Sequence, residues 1–172
     1  DLYATFGSDC TYNGTLRVGV GAISLVLAEH SNVDNFNAIV MYAGGLSVEV
    51  LDDASFNQLN LKIVAGGLML RVNATNLQKS GSISARIELG GVIVQPISVG
   101  SNLGVSLTAF ADIGGISLTP GDFVVEKQTD TECKIRTTNY PASTTKLDID
   151  IFLGLGGGMI NQGITFFPTF SQ

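Results

Sequence analysis

The sequence predicts an all-β protein, an antiparallel immunoglobulin-like or jelly-roll β-sandwich built from glycine hairpins. Three observations support this prediction: apolar alternation runs through most of the chain, glycine pairs interrupt it at intervals, and helix-forming stretches are nearly absent. The pairs stand at 44–45, 66–67, 90–91 and 114–115. With 172 residues, the chain is expected to form a single domain over 1–172, with enough length to bury its own core.

The sequence on either side of each glycine pair sorts by polarity when the two flanks are folded back on each other. Glycine readily adopts the positive φ that tight hairpin turns require, so each pair predicts a two-residue turn. A bulge in one long, bent strand is the alternative that the pattern leaves open. The apolar face is then predicted to contain Ile39, Met41, Ala43, Leu46, Val48 and Val50; Leu61, Ile63, Ala65, Leu68, Leu70 and Val72; Ala85, Ile87, Leu89, Val92 and Val94; and Ala109, Ala111, Ile113, Ile116 and Leu118.

The glycine pairs recur every 22 to 24 residues, a period that a β-solenoid would also produce. The segments between the pairs share no motif, which favours similar hairpins in a sandwich or barrel. A weaker copy lies at Gly21-Ala22, and the glycine-rich 154–158 reads as a turn. Further strands are predicted where alternation continues, in DFVVEKQ, CKIRTT, KLDIDIFLG and GITFFPTF.

Composition and short motifs favour an exported protein. The formal net charge of -6, without a basic cluster, argues against nucleic-acid binding, and no apolar run reaches the length of a transmembrane helix. Cys10 and Cys133 are the only cysteines, and we expect them to form a disulfide. Asn13 and Asn73 begin N-x-[ST] sequons and are glycosylation candidates. A start at Asp1 rather than Met is typical of a processed chain. The expected location is extracellular or on the cell surface.

The sequence contains no recognisable catalytic, metal or cofactor signature. His30 is the single histidine, no G-x-S-x-G stretch is present, and the cysteines and histidine are too few for a zinc site. Asp148 and Asp150 share one strand face opposite apolar residues, which is typical of solvated charges. We therefore expect a protein that is not an enzyme, with no catalytic residues, no metal ligands and no cofactor.

Two resemblances to known families concern the fold and the assembly. The stretch LMLRVNATNLQKSGSISARIELGGVIVQPISVGSNLGVSLTAFADI, residues 68–113, resembles the LEA-2 or WHy domain, with Asn73 to Asn76 standing where that family has Asn-Pro. This resemblance implies an immunoglobulin-like sandwich and no catalytic residues. The extended DLYATF start, the low charge and the Gly/Ser/Thr/Asn richness are similar to those of secreted filament subunits, such as archaeal threads and chaperone–usher pilins. Those families polymerise by donating a terminal strand.

The resulting hypothesis is a structural subunit of an extracellular filament or surface assembly, with copies of itself as partner. Residues 1–9 are the expected donor strand, in which Leu2, Ala4 and Phe6 share one face. Pairing of this strand with the edge of its own sheet is the alternative. Other functions left open are a ligand- or lipid-binding or adhesive module and a jelly-roll capsid subunit.

Overall fold

The computed structural model describes residues 1–8, 10–95 and 97–162. The strands are β1 (Leu2–Phe6), β2 (Thr11–Leu27), β3 (Asn32–Leu51), β4 (Ser55–Ala74), β5 (Gly81–Val94), β6 (Ser98–Val99), β7 (Leu103–Thr119), β8 (Val124–Gln128), β9 (Glu132–Arg136) and β10 (Thr145–Asn161). The all-β prediction is confirmed. Among the described residues, none belongs to a helix of the length and apolarity that a membrane crossing requires.

Strand pairing is mostly parallel, in the order β1-β2-β3-β4-β5-β10-β7-β9-β8. Each glycine pair lies in the middle of one long strand and is in register with the pairs of the neighbouring strands, as in Gly44↔Gly66 and Gly66↔Gly90. The predicted antiparallel hairpins are therefore wrong, and the bent-strand alternative is correct. Among the described strands, antiparallel pairing occurs only at β9, which pairs with β7 on one side and β8 on the other.

Each long strand must fold back on itself at its glycines. The 20 residues of β3 would extend about 66 Å if straight. The connection to β4, residues 52–54, spans at most about 14 Å, yet β4 begins beside the start of β3. Successive strands are thus turns of a solenoid whose two halves form two facing layers. The connecting turns stack as well, since Ser55 N–H donates to Ser31 O over 2.8 Å.

The core lies between the two layers and collects the inward side chains of all the turns. The predicted inward residues after the glycines, such as Leu68, Leu70 and Val72, are buried. The prediction fails ahead of the glycines in β3: Met41 and Ala43 are exposed and Ile39 is only half-buried, whereas the core contains Ala38 and Val40. The register shifts between Val40 and Gly44, so β3 carries an extra residue that reverses the alternation.

The later strands complete the fold. Predicted strands in DFVVEKQ, CKIRTT and KLDIDIFLG correspond to β8, β9 and β10, whereas GITFFPTF lies outside the described residues. The segment 154–158 is not a turn, because it lies within β10, where Gly156 and Gly157 are in register with the glycine pairs of β5 and β7. β10 itself enters the sheet between β5 and β7.

The predicted disulfide between Cys10 and Cys133 is wrong, because both thiols are free. Cys10 immediately precedes β2, whereas Cys133 lies in β9, six strand positions further along the sheet. At about 4.8 Å per strand this amounts to roughly 29 Å, and a disulfide requires Cα atoms within about 7 Å.

Candidate functional site

A column of glycines forms the bend of six stacked strands. The first glycine of each bend has a positive φ between 132° and 153°, at Gly21, Gly44, Gly66, Gly90, Gly156 and Gly114. A Cβ atom on Gly66 would lie 1.6 Å from the carbonyl oxygen of Gly44, and one on Gly90 would lie 1.7 Å from that of Gly66. Only glycine allows these backbones to approach so closely.

The position after each bend glycine forms the floor of a groove that crosses the sheet. It is occupied by Ala22, Gly45, Gly67, Gly91, Gly157 and Gly115, all of which line the groove. Because five of these residues have no side chain, the surface is recessed along the whole column. The groove has a volume of about 1000 Å³ and extends from Asp1, Leu2 and Tyr3 at one end to Asp130 at the other.

One wall of the groove is a row of outward-facing side chains, two positions beyond the floor. In sheet order, the row is Ser24, Ser47, Met69, Ile93, Met159 and Ser117. Its centre is apolar and open to solvent, with Met69, Ile93 and Met159 between 40% and 54% exposed. An apolar row on the solvent face of a sheet has no role in the core, which suggests a contact surface.

A second exposed apolar row lies on the other side of the glycine column. It is formed by the residue before each bend glycine: Val20, Ala43, Ala65, Leu89, Leu155 and Ile113. Leu89, Leu155 and Ile113 are between 45% and 61% exposed. The prediction that Leu89 and Ile113 face the core is wrong, because both side chains immediately precede a bend glycine and are exposed there.

The electrostatics of the groove are simple. Among its lining residues, only Asp1 and Asp130 are charged, one at each end. A carboxylate oxygen of Asp1 accepts a hydrogen bond from Ala22 N–H over 3.1 Å, and Asp130 O accepts one from Ile116 N–H over 2.7 Å. The surface between them presents glycine backbone, serine hydroxyls and apolar side chains, so it suits contact with an apolar partner rather than an ion.

Ionisable groups with shifted pKa values lie away from the groove lining. The hydroxyl of Thr75 donates to Asp52 over 2.8 Å, which lowers the pKa of that carboxyl. Hydrogen bonds from Lys134 and Arg136 lower the pKa of Glu126.

Two groups have raised pKa values. Tyr140 donates to Asp148 over 2.6 Å, which raises the pKa of the phenol to about 12. Burial raises the pKa of Cys133 to about 11. None of these four shifted groups lines the groove.

The residues predicted from the sequence as functional are not brought together. Asn13 and Asn73 are both exposed, on β2 and at the end of β4, so glycosylation stays a prediction. Leu2, Ala4 and Phe6 do share a face, with burial increasing from Leu2 to Phe6. They lie on β1, which pairs in parallel with the second half of β2 of its own chain, from Leu2↔Ile23 to Phe6↔Leu27.

The outward row of the groove was missed by sequence reasoning. A signal for it exists: Met69, Ile93 and Met159 each stand three residues after a bend glycine, between residues that face the core. In an alternating strand, a residue between two core-facing residues points to solvent. An apolar side chain at such a position, found at the same distance from the bend glycine in three turns, is the pattern that identifies this row.

Comparison with known proteins adds information on the fold. No protein-family model matches the sequence, and no curated protein matches it either. Among solved structures, the chain is similar to the crystal structure of a protein from Clostridium sporogenes provisionally described as a cell adhesion protein. The TM-score is 0.65, the alignment covers 90% of this chain and 93% of that chain, and the identity is 13%. The two chains therefore share an all-β fold.

Proposed function

We propose that this protein is an extracellular adhesive module whose apolar groove is its contact surface. The observation that carries the proposal is the pair of exposed apolar rows on either side of the glycine column. Isolated apolar side chains are common on protein surfaces, but contiguous ones typically mark an interaction site. The low charge of the chain, 14% charged residues, agrees with a surface that is partly covered in use.

The chemistry of the groove suits a protein or lipid surface of variable shape. Met69 and Met159 have flexible, polarizable side chains, which adapt to different partners. The adhesive description of the structurally similar Clostridium protein supports the same role. No catalytic step is part of the proposal: His30 lies in the turn after β2, with Nδ1 3.3 Å from Nε2 of Gln78, and it does not line the groove.

Charge substitution in the groove tests this function. Ile93→Asp places a carboxylate in the exposed apolar row, and Ser84→Asp places one on the same strand, on the exposed surface before the bend. The fluorescently labelled protein is incubated with cells of its source organism and with octyl-coated beads, and bound fluorescence is measured. Because burying an Ile side chain contributes about 1.5–3 kcal/mol, Ile93→Asp should weaken binding at least about tenfold.

The Ser84→Asp variant should bind like the unaltered protein, and both variants should unfold at the same denaturant concentration. Equal binding by Ile93→Asp and the unaltered protein would remove the groove from the function. Absence of binding by the unaltered protein to both cells and beads would argue against adhesion itself.

Self-assembly by donation of β1 is the second candidate function. Among the described strands, β1 is at the edge of the sheet; it carries no charged side chain within residues 2–6, and Tyr3 is 81% exposed. Uncharged edges favour pairing with another strand. Donated to the β2 edge of a second copy, β1 would keep the register that it has on its own chain. Deletion of residues 1–6 should then give folded monomers in place of polymers under the electron microscope, and unchanged polymers would contradict donation.

A further inference from the structure

The position of β10 in the sheet differs from its position in the chain. It is the last strand among the described residues, yet it pairs in parallel with both β5 and β7 along nearly its whole length. β5 and β7 form no ladder with each other in the described part of the chain. The residues before β10 therefore build two partial sheets separated by a slot one strand wide, and β10 joins them.

The slot accepts only a strand with glycines at particular places. A Cβ atom on Gly154 would lie 2.6 Å from the carbonyl oxygen of Glu88, and one on Gly156 would lie 1.6 Å from that of Gly90. Both obstacles are backbone atoms, which cannot rotate away. β10 supplies glycine at both positions, whereas β4 carries Val64 two residues before its bend glycine. Among the other long strands, β3, β5 and β7 also carry a side chain there, whereas β2 has glycine at both positions, so the slot selects β10 over four of these five strands.

Side chains on both walls of the slot hold β10 in register. The guanidinium of Arg86, on β5, lies 4.5 Å from the ring centroid of Phe152, and the ring of Phe110, on β7, stacks on Phe152 at 5.8 Å. These contacts add cation–π and stacking energy to the two hydrogen-bonded ladders. The partners that the structure describes for β10 in the slot lie in β5 and β7, so the same contacts form whichever copy supplies the strand.

We propose that the slot between β5 and β7 accepts β10 from a second copy of this chain, so that copies join by exchanging this strand. The exchanged arrangement reproduces the same ladders and the same glycine fit, so its cost lies in the connection, where turn bonds such as Tyr140 N–H to Thr137 O and Ala142 N–H to Asn139 O must open. The connection from β9 to β10, residues 137–144, spans about 26–29 Å when extended and can carry the strand to a neighbour. Reciprocal exchange closes a dimer, and one-way exchange builds a chain.

This inference is independent of the adhesive role of the groove. It has a consequence for the groove all the same, because Gly157 and Met159 belong to β10 and line it. In an exchanged assembly, the partner copy would supply these two residues, and each groove would be composed of two chains.

An engineered disulfide across the slot reports which chain supplies β10. Thr108 on β7 and Asp150 on β10 are direct partners, so Thr108→Cys with Asp150→Cys places two thiols within bonding distance. The full chain also carries Cys10→Ser and Cys133→Ala to remove the native thiols. The protein is unfolded, refolded at two concentrations a hundredfold apart, oxidised and separated by non-reducing denaturing electrophoresis. Exchange predicts covalent dimers whose ratio to monomer rises up to about a hundredfold, by mass action.

The matched control is Thr108→Cys with Lys134→Cys, a partner pair between β7 and β9 that both precede the exchanged strand. It should give only bonds within one chain at both concentrations. Bonds only within one chain for the Thr108/Asp150 pair would overturn the proposal, and so would covalent dimers in both pairs, since these report random oxidation. The unaltered chain, refolded under the same conditions, is examined by light scattering. Dimers that persist on dilution support exchange, and monomers at both concentrations overturn it.

Discussion

Substitution of adjacent glycines in β4 separates the two roles of the glycine pair. Gly66→Ala introduces a Cβ atom 1.6 Å from the carbonyl oxygen of Gly44, at a φ of 137°. Gly67→Ala introduces one whose nearest neighbour is the carbonyl oxygen of Gly91 at 3.8 Å, an ordinary contact. The two variants differ by one position in the sequence and have the same composition, so each is the control of the other.

The expected losses differ by several kcal/mol. An alanine held at this φ costs about 1–3 kcal/mol in backbone strain. Relief of the overlap with Gly44 requires β3 and β4 to move apart, which resembles overpacking and costs about another 1–3 kcal/mol. Gly66→Ala should therefore lower the free energy of unfolding by about 2–6 kcal/mol, a large part of the 5–15 kcal/mol typical of a domain. Gly67→Ala restricts the unfolded chain and should remain within about 1 kcal/mol of the unaltered protein.

Urea denaturation followed by far-ultraviolet circular dichroism measures both variants, with the slope of each transition as a check on cooperativity. If the two variants lost equal stability, or Gly67→Ala lost more, the close backbone contact at the first glycine would not be what fixes this residue. A Gly66→Ala variant that fails to fold agrees with the expectation only if Gly67→Ala folds normally.

Three further predictions concern the core, the thiols and the phenol. Leu70→Ala should lower the free energy of unfolding by about 2–5 kcal/mol, whereas Lys62→Ala, a surface change, should stay within about 0.5 kcal/mol; similar losses would show that the strand faces are misassigned. Iodoacetamide at pH 8 should modify Cys10 in the native protein and Cys133 only after denaturation, because Cys133 is buried with its pKa raised to about 11; mass spectrometry showing equal native labelling would contradict this. The folded-state pKa of Tyr140, about 12, lies above its ordinary value of 10.0, so its contribution to stability should be complete below pH 10 and lost as the pH rises to 12. Tyr140→Phe should flatten that part of the stability profile, and parallel profiles would rule out the linkage.

Local pattern explains what the sequence predicts correctly. The residues on either side of Met69 face the core as expected, because alternation within a strand depends only on the strand itself. Alternation does not predict how each strand pairs, because parallel and antiparallel neighbours require the same alternation. A glycine pair suits a tight turn and a sharp bend equally well. The deciding contact, between Gly44 and Gly66, joins residues of different turns and leaves no trace in either segment alone.

The candidate site was harder to predict from the sequence for a related reason. The sequence assigns Leu89 and Ile113 to the core because they are apolar and alternate with polar residues along their strands. The position of the bend decides that they are exposed, and that position depends on the connections between strands. The free thiols show the same limit: Cys10 and Cys133 are compatible with a disulfide by number, and only the strand order places them apart.

The register between β2 and β5 restricts how a chain of this kind can change in length. A single inserted residue in the middle of a turn reverses which side chains face the core. The ladders absorb one extra residue at two places in β3: at its bend, where residues 41–43 oppose two residues of β4, and near its start, where residues 34–35 oppose the one residue between Tyr12 and Gly14 of β2. Whole turns of about 22 to 24 residues, by contrast, preserve every row. The sheet should therefore lengthen or shorten across its strands in steps of about 4.8 Å, one strand spacing at a time, and the groove should change in length by the same step.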